Sequence, residues 1–141
     1  MGGFAGVLYG SSLVTKDLDL CLLLSPENIV KLRIALKDFN PKHRISPQKP
    51  SFLKYPEELE SINNLYLETD LGVVDIISQV TGIGDFKRVS KKAIQIKLFG
   101  HTCKVISIED LISAKKTLGR EKDIAMIKEL RVIQAGLKKK K

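Results

Sequence analysis

The stretch Asp17-Leu18-Asp19-Leu20-Cys21-Leu22-Leu23-Leu24 decides the reading of this chain. It holds the longest uninterrupted apolar run, Leu20 to Leu24, and two carboxylates spaced two residues apart. Read as a β-strand, its period of two places Asp17 and Asp19 on one face and Leu18 and Leu20 on the other. The continuous run that follows predicts a strand whose far end is buried on both faces. Directly after it, Ser25-Pro26 is a helix start, because the serine oxygen caps free amides and proline is preset for the first helical position. A helix from Pro26 to about Phe39 is expected. Strand, then helix, is the opening of a layered α/β fold.

The rest of the chain extends that pattern. Upstream, the small apolar segment Gly2 to Gly10 reads as a short helix packed tightly on a sheet and ended by Gly10. Four of the five prolines, Pro41, Pro47, Pro50 and Pro56, fall within residues 40–56 and predict an irregular excursion. Leu65 to Thr69 and Val73 to Ile77, separated by Asp70 to Gly72, read as a hairpin. Residues 81–85 read as a loop, and Ala93 to Leu98 with Thr102 to Ile106 as two further short strands. Ser107 with Asp110 forms a capping box for a helix that reaches Leu118 and stops at Gly119. A last helix, about Glu121 to Ala135, is expected to turn Ile124, Ile127, Leu130 and Val132 or Ile133 inward. The sum is a mixed α/β fold, a small β-sheet flanked by helices, in one domain over residues 1–137 with a basic tail at 138–141.

Composition narrows the class. A chain of 141 residues, 43% hydrophobic and 28% charged, carries enough apolar material for one buried core. The five-residue apolar run is far short of the roughly 20 needed to span a bilayer, so no membrane association and a cytoplasmic address are expected. Cys21 and Cys103 form no CxxC, and His43 and His101 have no ligand spacing, so any metal site would have to be built from carboxylates. The net charge of +8 is uneven: residues 86–141 hold sixteen Lys and Arg against five acids, while the first 85 residues carry slightly more acids than bases. A basic segment of this kind attracts polyanions, although a solvated lysine face reads the same way.

Three carboxylates carry the chemistry. Asp17 and Asp19 share a strand face, and Asp75 sits among Val73, Val74, Ile76 and Ile77 on a second strand, where an unpaired buried carboxylate would be costly. Like charges this close suit a hard cation such as Mg²⁺, bound through one or two carboxylates, water and substrate phosphates. With Asp75 alongside, the set suits two-metal chemistry on a leaving pyrophosphate and an acceptor hydroxyl. Gly10-Ser11-Ser12 offers unhindered amides and hydroxyls for phosphate oxygens. Tyr9, Phe52 and Tyr55 are candidates to stack on a base, with core or loop packing the stronger expectation for each.

Gly10-Ser11, then Asp17-x-Asp19 between leucines, then Asp75, resembles the nucleotidyltransferase superfamily typified by DNA polymerase beta. Gly2-Gly3-x-Ala5, Thr15 to Leu20, and the ending Ile108 to Lys115 with Arg120-x-x-Asp123 resemble its small prokaryotic abortive-infection and toxin-antitoxin members, over roughly residues 2–130. The resemblance implies a nucleotidyltransferase-like fold and Mg²⁺-dependent transfer of NMP from an NTP to an RNA end or to a protein or small-molecule hydroxyl. It implies Asp17, Asp19 and Asp75 as metal ligands and catalytic carboxylates, Gly10, Ser11 and Ser12 as phosphate holders, and Lys115 as a contact to phosphate or acceptor. For Arg120 and Asp123 an ion pair tying the last two helices is an equal reading. Two departures stand out: relatives carry an arginine where Leu13 stands, and an upstream helix and strand before the Gly-Gly. An absent strand would leave a sheet edge open, from which a homodimer or a covering partner is expected. The alternative is a catalytically silent relative that binds RNA, such as tRNA, or a partner toxin or antitoxin protein.

Overall fold

The structure is a computed structural model that describes residues 2–12, 15 and 17–139. In chain order its elements are α1 (Gly2–Tyr9), β1 (Asp17–Cys21), α2 (Pro26–Leu36) followed by a 3-10 turn (Lys37–Phe39), β2 (Lys42–His43), β3 (Asn64–Thr69), β4 (Gly72–Ile77), β5 (Gln79–Val80), β6 (Gly84–Asp85), α3 (Phe86–Lys92), β7 (Ile94–Leu98), β8 (His101–Val105), α4 (Ile108–Leu118) and α5 (Glu121–Lys139). The class is mixed α/β, with the strands in small sheets rather than a barrel. The chain divides into two compact units, Lys16–Ser78 and the pair of segments Met1–Thr15 with Gln79–Lys141.

The Lys16–Ser78 unit is built on a four-stranded sheet in the order β1-β4-β3-β2. β1 runs parallel to β4, with Asp19 beside Asp75 and Leu20 beside Ile76. β3 and β4 form the expected hairpin, closed by Asp70 and Leu71, with the Thr69 hydroxyl donating to the Gly72 carbonyl at 2.9 Å. Alternation sends Leu65, Leu67 and Ile76 to one face, where they join Leu24, Ile29 of α2 and Phe52 in a core that also takes in Leu20 and Val74. Burying each such side chain contributes about 1.5–3 kcal/mol, and Leu67→Ala, at a fully buried site, should cost about 2–5 kcal/mol. The Ser25 hydroxyl caps α2 by accepting from the Asn28 amide at 3.2 Å. The proline-rich excursion is pinned rather than loose: Phe52 N–H donates to the Pro41 carbonyl, Arg33 Nε donates to the Phe52 carbonyl, and residues 42–43 pair with β3 as β2.

One expectation for this unit fails. The strand stops at Cys21, and Leu22 to Leu24 leave the sheet after a single further bond from Leu22 N–H to the Ile77 carbonyl. Only Leu24 is buried, and Leu23 is 59% exposed. β1 pairs only with β4 among the described residues, so this end of the sheet is an edge and offers the run no second strand to be buried between.

The second unit is mostly helical. α1 packs on α4 and α5, where its composition had suggested a sheet. Gly6 explains the close approach: a Cβ there would lie 2.7 Å from Met126 Sδ of α5. Gly10, at φ 109°, ends the helix, and the Tyr9 hydroxyl donates to the Ile106 carbonyl at 2.7 Å. Burial, with Glu109 nearby, pushes that phenol up to about 12, so it stays a donor throughout the physiological range. α4 starts at Ser107 and ends at Gly119 as its sequence signals require, although the Asp110 carboxylate is taken by Arg88 at 3.2 and 3.4 Å. Of residues 81–85, expected as a loop, 81–83 form a tight turn between β5 and β6, Gly84 and Asp85 are β6, and Asp85 then caps α3 by accepting from Arg88 N–H. β7 and β8 pair as a separate two-stranded ribbon.

α5 differs from expectation in length and face. It runs to Lys139, so the first two lysines of the expected tail are helical. Its buried stripe is Asp123, Met126, Ile127 and Leu130, while Ile124 and Val132 face outward at 49% and 74% exposure. The stripe is rotated because Asp123, rather than a hydrophobe, is the residue turned inward.

Candidate functional site

The polar face of the β1-β4-β3-β2 sheet assembles one row of side chains across all four strands. Register places Asp19 beside Asp75 and Asp75 opposite Tyr66, and paired residues share a face. The β2–β3 register continues one residue further, with Arg44 N–H donating to the Tyr66 carbonyl at 3.0 Å. The row is thus Asp19, Asp75, Tyr66, Arg44, with Asp17 two residues before Asp19 on the same face of β1. This geometry follows from alternation. β1 and β4 turn Leu20, Val74 and Ile76 to the core, so Asp17, Asp19 and Asp75, one residue out of phase, are left on the other face.

Arg44 binds the row together. Its guanidinium lies over the Tyr66 ring, 5.5 Å from the centroid, and reaches Asp75 with a two-pronged contact, Nε donating to Oδ1 at 3.0 Å and Nη2 to Oδ2 at 2.6 Å. The hydrogen bonds Arg44 donates to Asp75, aided by the charges of Asp75 and Asp17, hold the Arg44 proton more tightly than usual. Asp75 keeps 17% of its side chain exposed and Arg44 33%, so the pair sits at the surface of the face rather than under it. Sequence reading placed Asp17, Asp19 and Asp75 on one sheet, and the structure brings them to one face. It missed Arg44, which lies in the proline-rich excursion, where no periodic signal marks it. Toward the β2 edge, an open groove of about 450 Å³ is lined by His43, Ile45, Asn63, Asn64 and Tyr66 among others.

The expected phosphate holders, with Lys115, Arg120 and Asp123, lie in the other unit. Ser11 is 7% exposed and its amide donates to the Gly6 carbonyl at 2.9 Å. The Ser12 amide and hydroxyl both donate to Glu129 of α5, at 2.8 and 2.7 Å. These bonds from Ser12, with one from Ser11, hold the Glu129 carboxyl below its usual range. A carboxylate thus sits where a phosphate was expected. Lys115, with 8% of its side chain exposed, donates from Nζ to Asp123 Oδ1 at 3.3 Å. Arg120 grips the same carboxylate with Nε at 2.6 Å, Nη2 at 3.2 Å and its own amide at 3.2 Å. Burial pushes the fully buried Asp123 carboxyl up, and the bonds from Arg120 and Lys115 outweigh it and hold the group below the usual range. Leu13 lies outside the described residues. Of the aromatic candidates, Phe52 is fully buried, Tyr9 is committed to Ile106, and Tyr55 is half exposed.

The donor set sets the limits of the chemistry. Asp17 and Asp19 supply hard oxygen ligands at a spacing that suits a cation held through one or two carboxylates and shared with a substrate. No group of three or more His, Cys, Asp or Glu side chains close enough to hold a metal occurs among the described residues, and both oxygens of Asp75 face Arg44. No helix of the described residues is long and apolar enough to cross a membrane. The sequence matches no known family model and no curated protein, which leaves the geometry and chemistry of the acidic face to carry the functional conclusion.

Proposed function

We propose that the acidic face of the β1-β4-β3-β2 sheet is the active centre of a Mg²⁺-dependent nucleotidyltransferase that moves NMP from an NTP to a hydroxyl on RNA, protein or a small molecule. The observation that carries this reading is the parallel register of β1 and β4, which sets Asp19 beside Asp75 on the face opposite the core, with Asp17 on the same face. Asp17 and Asp19 hold the cation, which when bound supplies charge to offset the triphosphate. Asp75 orients the acceptor hydroxyl and takes its proton as the hydroxyl oxygen attacks the α-phosphorus and the α–β phosphoanhydride bond breaks to release pyrophosphate. Arg44 holds Asp75 fixed until the substrate arrives, and its fork geometry suits phosphate oxygens as well as it suits a carboxylate.

The experiment is a thermal-shift titration with ATP, GTP, CTP and UTP, with and without Mg²⁺, on wild type and on Asp17→Ala, Asp19→Ala. A metal-dependent shift that the double variant loses supports the assignment. A shift that survives in the variant, or none with any nucleotide, refutes it.

One observation favours a second reading. Arg44 occupies both oxygens of Asp75, which is how a silent relative would neutralise a retired carboxylate, and the protein would then act as an RNA-binding or antitoxin-like partner-binding module. Stable capture of a partner or RNA with no nucleotide response would support it.

A further inference from the structure

A second surface has its own chemistry and does not depend on the acidic face. From Phe86 to Ile108 the chain has no Asp or Glu, and it carries Lys87, Arg88, Lys91, Lys92, Lys97 and Lys104. The structure gathers this segment as α3 followed directly by the β7–β8 ribbon. All five lysines are exposed, and Arg88 is the one that turns inward, to Asp110. The ribbon register pairs Gln95 with Lys104 and Lys97 with Thr102 on one face, and sends Ile96, Cys103 and Val105 to the other. Lys104 Nζ donates to Ser90 Oγ at 2.9 Å, which ties that lysine face to α3.

The tip of the ribbon is the second observation. β7 and β8 are joined by Phe99 and Gly100, both at positive φ, 51° and 79°. A two-residue turn of that kind favours Asn-Gly or Gly-Gly, because a bulky side chain is strained at its first position. The chain instead places there the most exposed large hydrophobe among the described residues, Phe99 at 93%. A strained, solvent-directed aromatic at the end of a lysine-lined ribbon has no role in packing.

We infer that the α3–β7–β8 surface binds single-stranded RNA, with Lys91, Lys92 and Lys97 along the phosphates and Phe99 stacked on an unpaired base. Cationic side chains beside an aromatic platform are the arrangement that holds single strands without sequence readout. RNA loops and ends present splayed bases that a protruding ring can reach, whereas a duplex keeps its bases stacked. A bilayer is disfavoured because the tip carries a single apolar ring flanked by Gly100, His101 and Thr102.

Fluorescence anisotropy with a labelled, unstructured RNA 12-mer tests this on the full chain. Wild type should bind, with log affinity falling linearly against log salt. Lys91→Gln, Lys92→Gln, Lys97→Gln should weaken binding and flatten that slope by about 2, from roughly 0.7 per phosphate contact. Phe99→Ala should weaken binding roughly tenfold with the slope unchanged, and Phe99→Trp should restore it. These positions are exposed, so circular dichroism and melting temperature should match wild type. Lys138→Gln, Lys139→Gln serves as the control and should leave the slope nearly intact. The inference is overturned if wild type does not bind, if the triple variant or Phe99→Ala binds like wild type, or if the helical lysines of α5 matter as much as the triple. Preference for a DNA strand, for duplex or for anionic phosphatidylserine vesicles overturns it as well.

Discussion

Asp75 and Asp123 are both gripped by an arginine fork, and the difference between them separates a structural carboxylate from a candidate catalytic one. Asp123 has no exposed side chain, and it collects Lys115, the Arg120 guanidinium and the Arg120 amide on its two oxygens. Its bonding capacity is spent inside the protein, at the start of α5 where the helix dipole also favours a negative charge. Asp75 stays 17% exposed on an open sheet face, is held by Arg44, and lies beside Asp19 in register. Carboxylates on an open face of that kind keep part of their charge within reach of something that comes from outside, which Asp123 cannot do.

The comparison breaks most directly at Asp123. Asp123→Ala should cost about 3–5 kcal/mol in urea unfolding, because it strands the buried Lys115 ammonium without a partner. Lys115→Met combined with Asp123→Leu should recover much of that loss, since replacing both ends of a buried pair by hydrophobes is often close to neutral. The pH dependence has a fixed sign. The Asp123 carboxyl is held below its usual range in the folded state, so its contribution is fully present above the unfolded value of about 3.9 and is lost as pH falls through the lower folded value. Wild type should therefore lose stability below about pH 4 more steeply than Asp123→Ala. Equal acid profiles would show that Asp123 is not the buried anchor its geometry describes.

Asp75 should respond more mildly. Asp75→Ala should cost about 1–2 kcal/mol, because Arg44 is already one-third exposed and can turn to water when its partner is gone. A loss as large as that at Asp123 would class Asp75 as structural and weaken its catalytic assignment. Arg44→Ala sharpens the point: it leaves the carboxylates without the fork, and a gain in Mg²⁺-dependent nucleotide response over wild type would mean that Arg44 holds the face closed against the cation.

Much of this was legible from sequence, and the exceptions have physical causes. Ser25, Ser107 and Gly119 marked helix ends because caps act locally, and the β3–β4 hairpin was readable because alternation and turn residues agreed. The Leu22 to Leu24 run misled because a continuous apolar stretch is buried on both faces only inside a sheet, and edge position is a property of topology. α3 was missed although Asp85, three residues before Arg88, is a cap signal, since the Gly82 and Gly84 turn masked it. Asp17 and Asp19 could be placed on one face from strand period alone, and Asp75 on the same sheet, but its alignment with them needs the β1–β4 register, and Arg44 could not be placed at all, because its position opposite Tyr66 depends on how a proline-rich excursion returns to the sheet. Asp123 was visible as part of a sequence pattern, yet its burial rotates α5 and is set by Lys115 across the helix pair.

The smallest effects should come from Asp19, and they are the most discriminating. Asp19→Asn keeps the size of the side chain and changes no apolar contact in the core, so stability should stay within about 1 kcal/mol of wild type. The paired measurement is the Mg²⁺-dependent nucleotide shift, which should fall sharply in the same variant because an amide is a weaker cation ligand than a carboxylate. Stability retained with response lost is the signature of a residue kept for a ligand rather than for the fold. Asp123→Asn should give the reverse, a large stability loss with any nucleotide response of the surviving folded fraction unchanged. If the two asparagine variants behave alike in both measurements, the distinction between the buried and the open carboxylate fails, and the acidic face loses its claim to be a site.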